Sequence, residues 1–279
     1  MGLNRYRMST FNKVFFILFI LNLLAGFAHA SENWDSFKAK TEGYYHYLMK
    51  SDIRNFTCFF TTGSYLSYID SYSDSTYSYP LKFIWTRMGK IYFVLHAFPI
   101  VDNSNQRKEV LEKIQLTKNQ FQGFYLDWLN FLIISPISDI PDTSSLSFSG
   151  DTVKVFYTGK DGGNTRVTKV FLKSGRLYKA IVESNQDKVV NYPYYTEVEG
   201  KWLCTGWDTQ IVQEGEIKSG LATRLELMKF ENNWMPTKVD LIVQTIEKPG
   251  ESYGSTIFIK DYVFDVPLQE LENSDNPAN

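Results

Sequence analysis

Hydrophobic residues recur at helical spacing in two stretches of the chain. Over residues 34–49, aromatic and aliphatic side chains alternate with polar ones at roughly helical intervals, which predicts a first helix. The pattern is clearer over 105–132, because Phe121, Tyr125 and Trp128 fall at i, i+4 and i+7. This spacing predicts a long amphipathic helix with one aromatic face.

Elsewhere the pattern is that of β-strands joined by short turns. Three-residue connections that contain glycine, at 88–90 and 173–175, predict two hairpins. Strands joined in sequence by short turns pair with their neighbours in antiparallel fashion, so a mainly β (α+β) fold is expected. A Ser/Tyr/Asp-rich stretch over 64–79 is predicted as an exposed hairpin or flap. The predicted strands cover residues 55–61, 81–87, 91–95, 151–157, 167–172, 176–183, 201–213, 222–230, 238–247 and 255–264.

Residues 1–30 have the order of parts of a secretory signal peptide. A basic start precedes a nearly unbroken apolar run over 14–27, and Ala28 and Ala30 place small side chains where signal peptidase inspects the chain. The run is shorter than the roughly 20 residues that span a bilayer, which favours cleavage over an uncleaved anchor. After cleavage, no later stretch is apolar enough to predict an integral membrane protein.

The sequence therefore predicts an exported protein, periplasmic or secreted, that is soluble after cleavage. One β domain is expected over 31–268, followed by a polar flexible tail over 269–279. The full chain has 29 basic and 31 acidic residues; without the three basic residues of 1–30 the net charge is −5. This mildly acidic balance argues against nucleic acid as a partner.

Few residues of the mature chain point to catalysis or to metal binding. The two histidines, His46 and His96, lie in different predicted elements, and no nucleophile, phosphate-loop or dinucleotide motif is present. Cys58 and Cys204 either form a disulfide in an oxidising compartment or remain two buried thiols, and the sequence leaves both open. Without clustered histidines they do not make a zinc site, so no metal and no cofactor are expected.

The order of elements resembles that of the periplasmic lipoprotein-carrier superfamily, the proteins similar to the outer-membrane lipoprotein-sorting factor. Members of that family pair a Phe-x-Trp strand with a following turn and strand, and later carry Trp-x-Pro before an outward β run. Here Phe83 and Trp85 match the first motif, and Trp234 and Pro236 the second. The resemblance covers most of the mature chain as an order of elements and few residues as motifs.

The resemblance implies a curved antiparallel sheet, an incomplete β-barrel, with helices covering its concave face. It implies a non-catalytic carrier or sensor that binds a lipid, a lipoprotein acyl chain or a similar apolar ligand between sheet and helices. Each methylene removed from water would contribute about 0.8 kcal/mol. Ordinary core packing is the competing interpretation of every cavity position. The helix would supply Phe121, Phe124, Tyr125 and Trp128, and the sheet Phe83, Trp85, Leu227, Val243 and Phe258.

Two alternative functions stay open. One is a protein-binding or envelope-assembly module on the same fold, in which the 64–79 stretch contacts the partner protein. The other is a carbohydrate-active enzyme, since such enzymes need only a pair of carboxylates. Glu197 and Glu199 are predicted to share a strand face, and Asp127 lies on the aromatic helix. Spaced acids are common on solvated strands, so this third interpretation has the least support.

Overall fold

The computed structural model describes six segments of the chain. The predicted signal peptide (1–30) and the predicted tail (269–279) lie outside the described residues. The segments are 34–72, 74–101, 103–159, 165–184, 187–245 and 252–267.

In these segments twelve strands form one curved, open antiparallel sheet, which confirms the mainly β fold class. The strand order is β3-β2-β1-β12-β11-β10-β9-β8-β7-β6-β5-β4, so β3 and β4 are the two edges. The strands are β1 (Asn55–Thr62), β2 (Leu81–Thr86), β3 (Ile91–Leu95), β4 (Ser145–Ser149), β5 (Thr152–Thr158), β6 (Arg166–Leu172), β7 (Leu177–Glu183), β8 (Asp187–Val198), β9 (Lys201–Gln213), β10 (Glu216–Phe230), β11 (Asn233–Thr245) and β12 (Ser252–Phe264).

Strands β4 to β12 follow one another as a meander, and β12 then returns to pair with β1. The register places Phe56 opposite Phe264 and Phe60 opposite Ile259. Next to the Phe56–Phe264 pair, the Asn55 side-chain amide donates a 3.0 Å hydrogen bond to the backbone carbonyl of Val266. The β1–β12 ladder therefore joins the N-terminal hairpin strands to the meander in one sheet.

Within the described segments, three α-helices accompany the sheet. They are α1 (Trp34–Glu42), α2 (Gly63–Ile69) and α3 (Ser104–Trp128), and a π-helical turn over Leu129–Ile133 continues α3. The Asn103 side chain caps α3 by accepting hydrogen bonds from the next backbone N–H groups of the first turn. The helix predicted over 34–49 ends early at Glu42, because the chain leaves it to form a bridge between Tyr45 and Trp202.

Among the helices of the described ranges, none combines the length and the apolar character needed to span a bilayer.

The 64–79 stretch is not the exposed hairpin or flap that its composition suggested. It forms α2 and two short 3₁₀ turns, Asp70–Tyr72 and Ser75–Ser78. Tyr65 and Ile69 are buried in the main core at i and i+4, and the Thr62 hydroxyl lies 3.1 Å from that of Thr117 on α3. The serines and aspartates of this stretch favour turns. Residues 63–69 are helical because Tyr65 and Ile69 pack into the core, so tertiary contacts override local propensity.

The main core lies between α3 and the concave face of the sheet. Phe121 stacks on Phe60 of β1 at a centroid distance of 4.0 Å and lies 5.0 Å from Phe83 of β2. Further along the sheet, Phe124 lies parallel to Trp207 of β9 at 6.2 Å. The aromatic face of α3 therefore ties together strands from both halves of the sheet.

Replacing Phe121 by alanine should lower the free energy of unfolding by about 3–5 kcal/mol, because it opens a cavity among rings that cannot collapse together. The measurement is urea unfolding followed by circular dichroism. Leu126→Ala on the same helix is the control. Leu126 is 62 % exposed, so this substitution should change the free energy of unfolding by no more than about 0.5 kcal/mol. Equal losses in the two variants would contradict this account of the core.

Candidate functional site

The predicted lid and wall residues under α3 pack against one another. Phe83 lies 5.2 Å from Tyr125 and 6.3 Å from Trp128, measured between ring centroids. Trp85 stacks on Phe56 at 5.3 Å. These side chains are buried, as are Phe121 and Phe124. The interface that the sequence suggested as a ligand cavity is therefore occupied by interlocked rings.

The other three predicted wall residues are scattered. Leu227 is half-buried and packs against the main core. Val243 shares the face of the buried Val239 on β11, but it is 37 % exposed and lies beyond the helix. Phe258 pairs with Thr61 between the core pairs Phe60–Ile259 and Thr62–Ile257, so it lies on the opposite, convex face.

A small cavity lies beside the π-helical turn, between Leu132, Leu203 and Trp234. Its volume of about 30 Å³ is that of a water molecule rather than of an acyl chain. This cavity is therefore too small to hold a lipid.

A row of aliphatic side chains crosses the concave face where α3 does not cover it. Trp207 fixes which face of β9 is concave, and Ile211 lies four residues further on the same face. Directly opposite residues in antiparallel pairs share a face, so the register extends this row across four strands. We name it the aliphatic stripe: Val167, Val182, Val189 and Ile211, paired in that order from β6 to β9, with Tyr157 of β5 opposite Val167.

The aliphatic stripe is partly open to solvent. Its three valines are half-buried and Ile211 is 38 % exposed. None of the four belongs to the main core cluster or is counted among the residues packed against it. These four residues therefore form an apolar surface beside the packing under α3, and the two meet at Tyr157, which packs against the main core.

Polar pairs border the aliphatic stripe on both sides. On the side toward α3, the Thr209 hydroxyl donates a 2.6 Å hydrogen bond to the Asn191 side chain. On the rim side, the Gln213 amide donates a 2.9 Å hydrogen bond to the Asp187 carboxylate. The apolar surface between β8 and β9 is consequently one side chain wide.

A cleft of about 540 Å³ lies at the end of β5, where β4 begins only at Ser145 and leaves Tyr157 and Thr158 unpaired on that side. Tyr157 and Val167 border the cleft, but most of its wall alternates with them along the strands and so faces the convex side of the sheet. The remaining wall is rich in hydroxyl groups and includes one arginine and one glutamate. Its residues are Pro141, Thr143, Ser145, Phe156, Thr158, Arg166, Thr168 and Glu183.

A buried lysine fastens the segment after α3 to the concave face beside this cleft. Lys169 Nζ donates 2.7 Å and 2.5 Å hydrogen bonds to the Pro136 carbonyl and to Asp139 Oδ1. The Tyr157 hydroxyl donates a 3.1 Å hydrogen bond to the other oxygen of Asp139. Burial lowers the pKa of Lys169, and the adjacent Asp139 carboxylate opposes that shift. The cluster thus fixes one wall of the cleft and has all its charges paired.

Asp127 on α3 is a second half-buried carboxyl group. It accepts a 2.9 Å hydrogen bond from the Trp207 indole nitrogen, and burial raises its pKa above the usual value for aspartate. Glu199, one of the acids that the sequence places on the β8 strand face, lies in the β8–β9 turn at φ +51° and pairs with Lys229 at 2.6 Å. Glu197 and Glu199 therefore do not share a strand face, and the paired-acid arrangement is not formed there.

The two cysteines are free thiols. Cys58 lies on β1 and Cys204 on β9, and the order of the sheet places β12, β11 and β10 between them. A disulfide requires Cα atoms within about 7 Å, so the pairing left open by the sequence is not made. Burial raises the pKa of Cys204 to about 12, which keeps this thiol protonated at neutral pH.

Within the part of the chain that the structure describes, no group of three or more His, Cys, Asp or Glu side chains is placed to bind a metal ion.

Comparison with known proteins finds no matching family model, no matching curated protein and no matching solved structure. The similarity to lipoprotein carriers therefore remains a prediction, and a function has to be argued from the geometry of the concave face.

Replacing Lys169 by methionine should lower the free energy of unfolding by roughly 2–3 kcal/mol, because Asp139 then lacks its cation and the Pro136 carbonyl its donor. Urea unfolding at pH 7 provides the measurement. Lys154→Met removes an exposed lysine from the neighbouring strand and should change stability little. An unchanged midpoint in the Lys169 variant would show that the ion pair does not fasten this segment.

Asp127→Asn should raise the urea midpoint at pH 7, because the amide oxygen can still accept a hydrogen bond from Trp207 while the half-buried charge is removed. A raised pKa means that the folded state favours protonated Asp127. Its cost to wild-type stability is therefore absent at pH values below the ordinary aspartate pKa and grows as pH rises through the raised value. The difference between variant and wild type should accordingly shrink on acidification. A difference that is independent of pH would contradict this origin.

Proposed function

We propose that this chain is an exported, non-catalytic binding protein for an apolar ligand, which it holds on the uncovered part of its concave face. The observation that carries the proposal is the aliphatic stripe, from Val167 to Ile211, with polar pairs on both of its borders. The signal-like segment at the N-terminus and the order of elements support export and a carrier role.

Ligand binding on this surface requires no disruption of the core. A ligand between α3 and the sheet would have to separate Phe121 from Phe60, on which it stacks at 4.0 Å, and from Phe83, whose tilted ring lies 5.0 Å away. The stripe is already partly exposed, and each methylene of a ligand that it takes from water contributes about 0.8 kcal/mol. Binding and release can then occur without bond chemistry and without opening the aromatic core.

The alternative of a protein-binding module that uses 64–79 has less support. Tyr65 and Ile69 of this stretch are core residues, so the stretch is not a detachable loop. Its removal would expose α3 and would not test partner capture separately from folding.

Replacing Ile211 by serine should weaken binding of a fluorescent single-chain fatty-acid probe about tenfold, because Ile211 is 38 % exposed and the probe would bury only part of the surface whose full burial contributes roughly 1.5–3 kcal/mol. The measurement is a fluorescence titration of the purified mature protein with the probe. Native mass spectrometry of protein purified from its own host would identify a co-purified ligand by mass.

Ile217→Ser is the matched control. Ile217 is 42 % exposed, against 38 % for Ile211, and its pairing with Val212 places it on the convex face. The control should bind the probe as the wild type does. Equal weakening by both substitutions, or no binding to the wild type, would sink the proposal.

A further inference from the structure

We infer that the free edge of β3 binds an extended acidic segment of another protein, which pairs with β3 as an additional strand of the sheet. This site lies away from the aliphatic stripe, because five strands separate β3 from β9, the nearest strand of the stripe. Three features point to it: the outward backbone groups of β3, its apolar side chains, and the positive charge around it.

The backbone of β3 has one unpaired side. Just beyond the end of the strand, the His96 N–H donates a 2.8 Å hydrogen bond to the Pro80 carbonyl. Hydrogen-bonded pairs alternate along an antiparallel ladder, so Tyr92 and Val94 are the residues of β3 that bond to β2. The N–H and C=O groups of the alternate residues therefore point away from the sheet, and these residues are Ile91, Phe93 and Leu95.

β3 lacks most of the features that protect an edge strand from pairing with other chains. Its sequence, Ile-Tyr-Phe-Val-Leu, contains no charged residue and no proline, and it pairs with β2 without a bulge. At the opposite edge of the sheet, three of the five residues of β4 are serines. β3 thus offers three N–H and three C=O groups to an added strand, whose affinity comes from main-chain hydrogen bonds.

Apolar side chains flank this edge on both faces of the sheet. On the concave face, Phe93 packs against the main core and Leu95 is 42 % exposed. On the convex face, Tyr92 and Val94 pack against the buried Ile84. Successive side chains of an added strand would lie alternately beside these two rows. The site therefore favours a segment with β-branched or other apolar residues at its centre.

The charge around the edge is positive. Residues 80–101 contain Lys82, Arg87 and Lys90 but no aspartate or glutamate, although the chain after residue 30 is acidic as a whole. From α3, Lys118 Nζ lies 5.4 Å from the centroid of the Phe93 ring. The Arg87 guanidinium donates its hydrogen bonds to backbone carbonyls and not to a carboxylate. Carboxylates beside the apolar centre of a partner strand would balance these cations.

The same charge disfavours a second copy of this chain as the partner. Pairing β3 with the β3 strand of another copy would bring two sets of cations together, Lys90 and Lys118 among them. Like charges that face each other across paired strands are destabilising. An acidic segment forms the same main-chain hydrogen bonds and converts this repulsion into attraction.

The test measures fluorescence polarisation of a labelled peptide in which alternating valine and threonine residues are flanked by glutamates. The purified mature protein should bind this peptide more tightly than a matched peptide flanked by lysines, and added salt should reduce the difference. Leu95→Pro should weaken binding about tenfold, because proline removes an outward N–H and its ring obstructs an added strand. Leu95→Ala removes the same side chain, retains the N–H, and should stay within about threefold of wild type.

Lys118→Gln tests the contribution of charge. It should weaken binding of the glutamate-flanked peptide about fivefold without weakening that of the lysine-flanked peptide. Lys113→Gln on the same helix is the control, because Lys113 lies over the Tyr68 ring and not at the β3 edge. Thermal unfolding followed by circular dichroism checks that each variant is folded. If Leu95→Pro does not fold, the comparison of Lys118→Gln with Lys113→Gln decides.

Three results would overturn the inference. The first is absence of binding, or equal affinity of the wild type for the two peptides. The second is an equal loss in Leu95→Pro and Leu95→Ala, or in Lys118→Gln and Lys113→Gln. The third is a dimer in analytical ultracentrifugation that Leu95→Pro abolishes, since a second copy would then occupy the edge. Binding of the fatty-acid probe to the stripe should be unchanged in all four variants, so the proposed function is tested separately.

Discussion

The packing of α3 onto the concave face is the interaction on which the rest of the structure depends. Its rings contact β1, β2 and β9, so the helix draws together strands that are distant in sequence. Yet 25 residues make a helix of roughly 38 Å, about 10 Å wide, while twelve strands extend over roughly 50 Å. One helix cannot cover such a sheet, and the concave face is necessarily divided into a covered and an uncovered part.

This division explains how one face can be both core and binding surface. Where α3 lies on the sheet, aromatic side chains fill the interface and nothing enters without unfolding it. Where α3 is absent, smaller aliphatic residues line the sheet and hydrogen-bonded polar pairs border them. Lys169 and Asp139 mark the boundary near β6, because they fasten the chain that follows α3 at the place where its cover ends. Because this segment is fixed to β6 and does not extend over the aliphatic stripe, the stripe is accessible without the movement of a lid.

Much of the fold could be predicted from local pattern. The prediction of hairpins around Gly89 and Gly175 is confirmed. Both glycines adopt positive φ, and the connections are too short to join anything but neighbouring antiparallel strands. Strand β4 was not predicted because it is serine-rich, and β8 was predicted only around Glu197 because Pro193 and its polar neighbours interrupt a strand pattern. The predicted flap became α2 because Tyr65 and Ile69 are buried by contacts from distant elements, which no window of sequence contains.

The candidate site was less accessible to sequence reasoning. Alternation along a strand cannot say which face is inside, so Phe258 was assigned to the wrong face and Val243 to a covered position. The aromatic residues of α3 were recognised as a group, but large apolar side chains favour filled interfaces and enclosed cavities alike. The aliphatic stripe escaped notice because its members lie on four strands and become neighbours only through register. A search for cross-strand partners of the same class could have found it.

The return of β12 to β1 has a consequence for the order in which the molecule can mature. The contact of Asn55 with Val266 joins residues 211 positions apart, so β1 has to wait for the end of the chain before its second edge is paired. Until then β1 and β11 both present open backbone edges, the kind of surface that recruits other chains. The sheet is therefore completed only after β12 has been synthesised. A chain truncated before β12 would keep two unpaired strand edges and would be expected to self-associate rather than fold into a shorter functional protein.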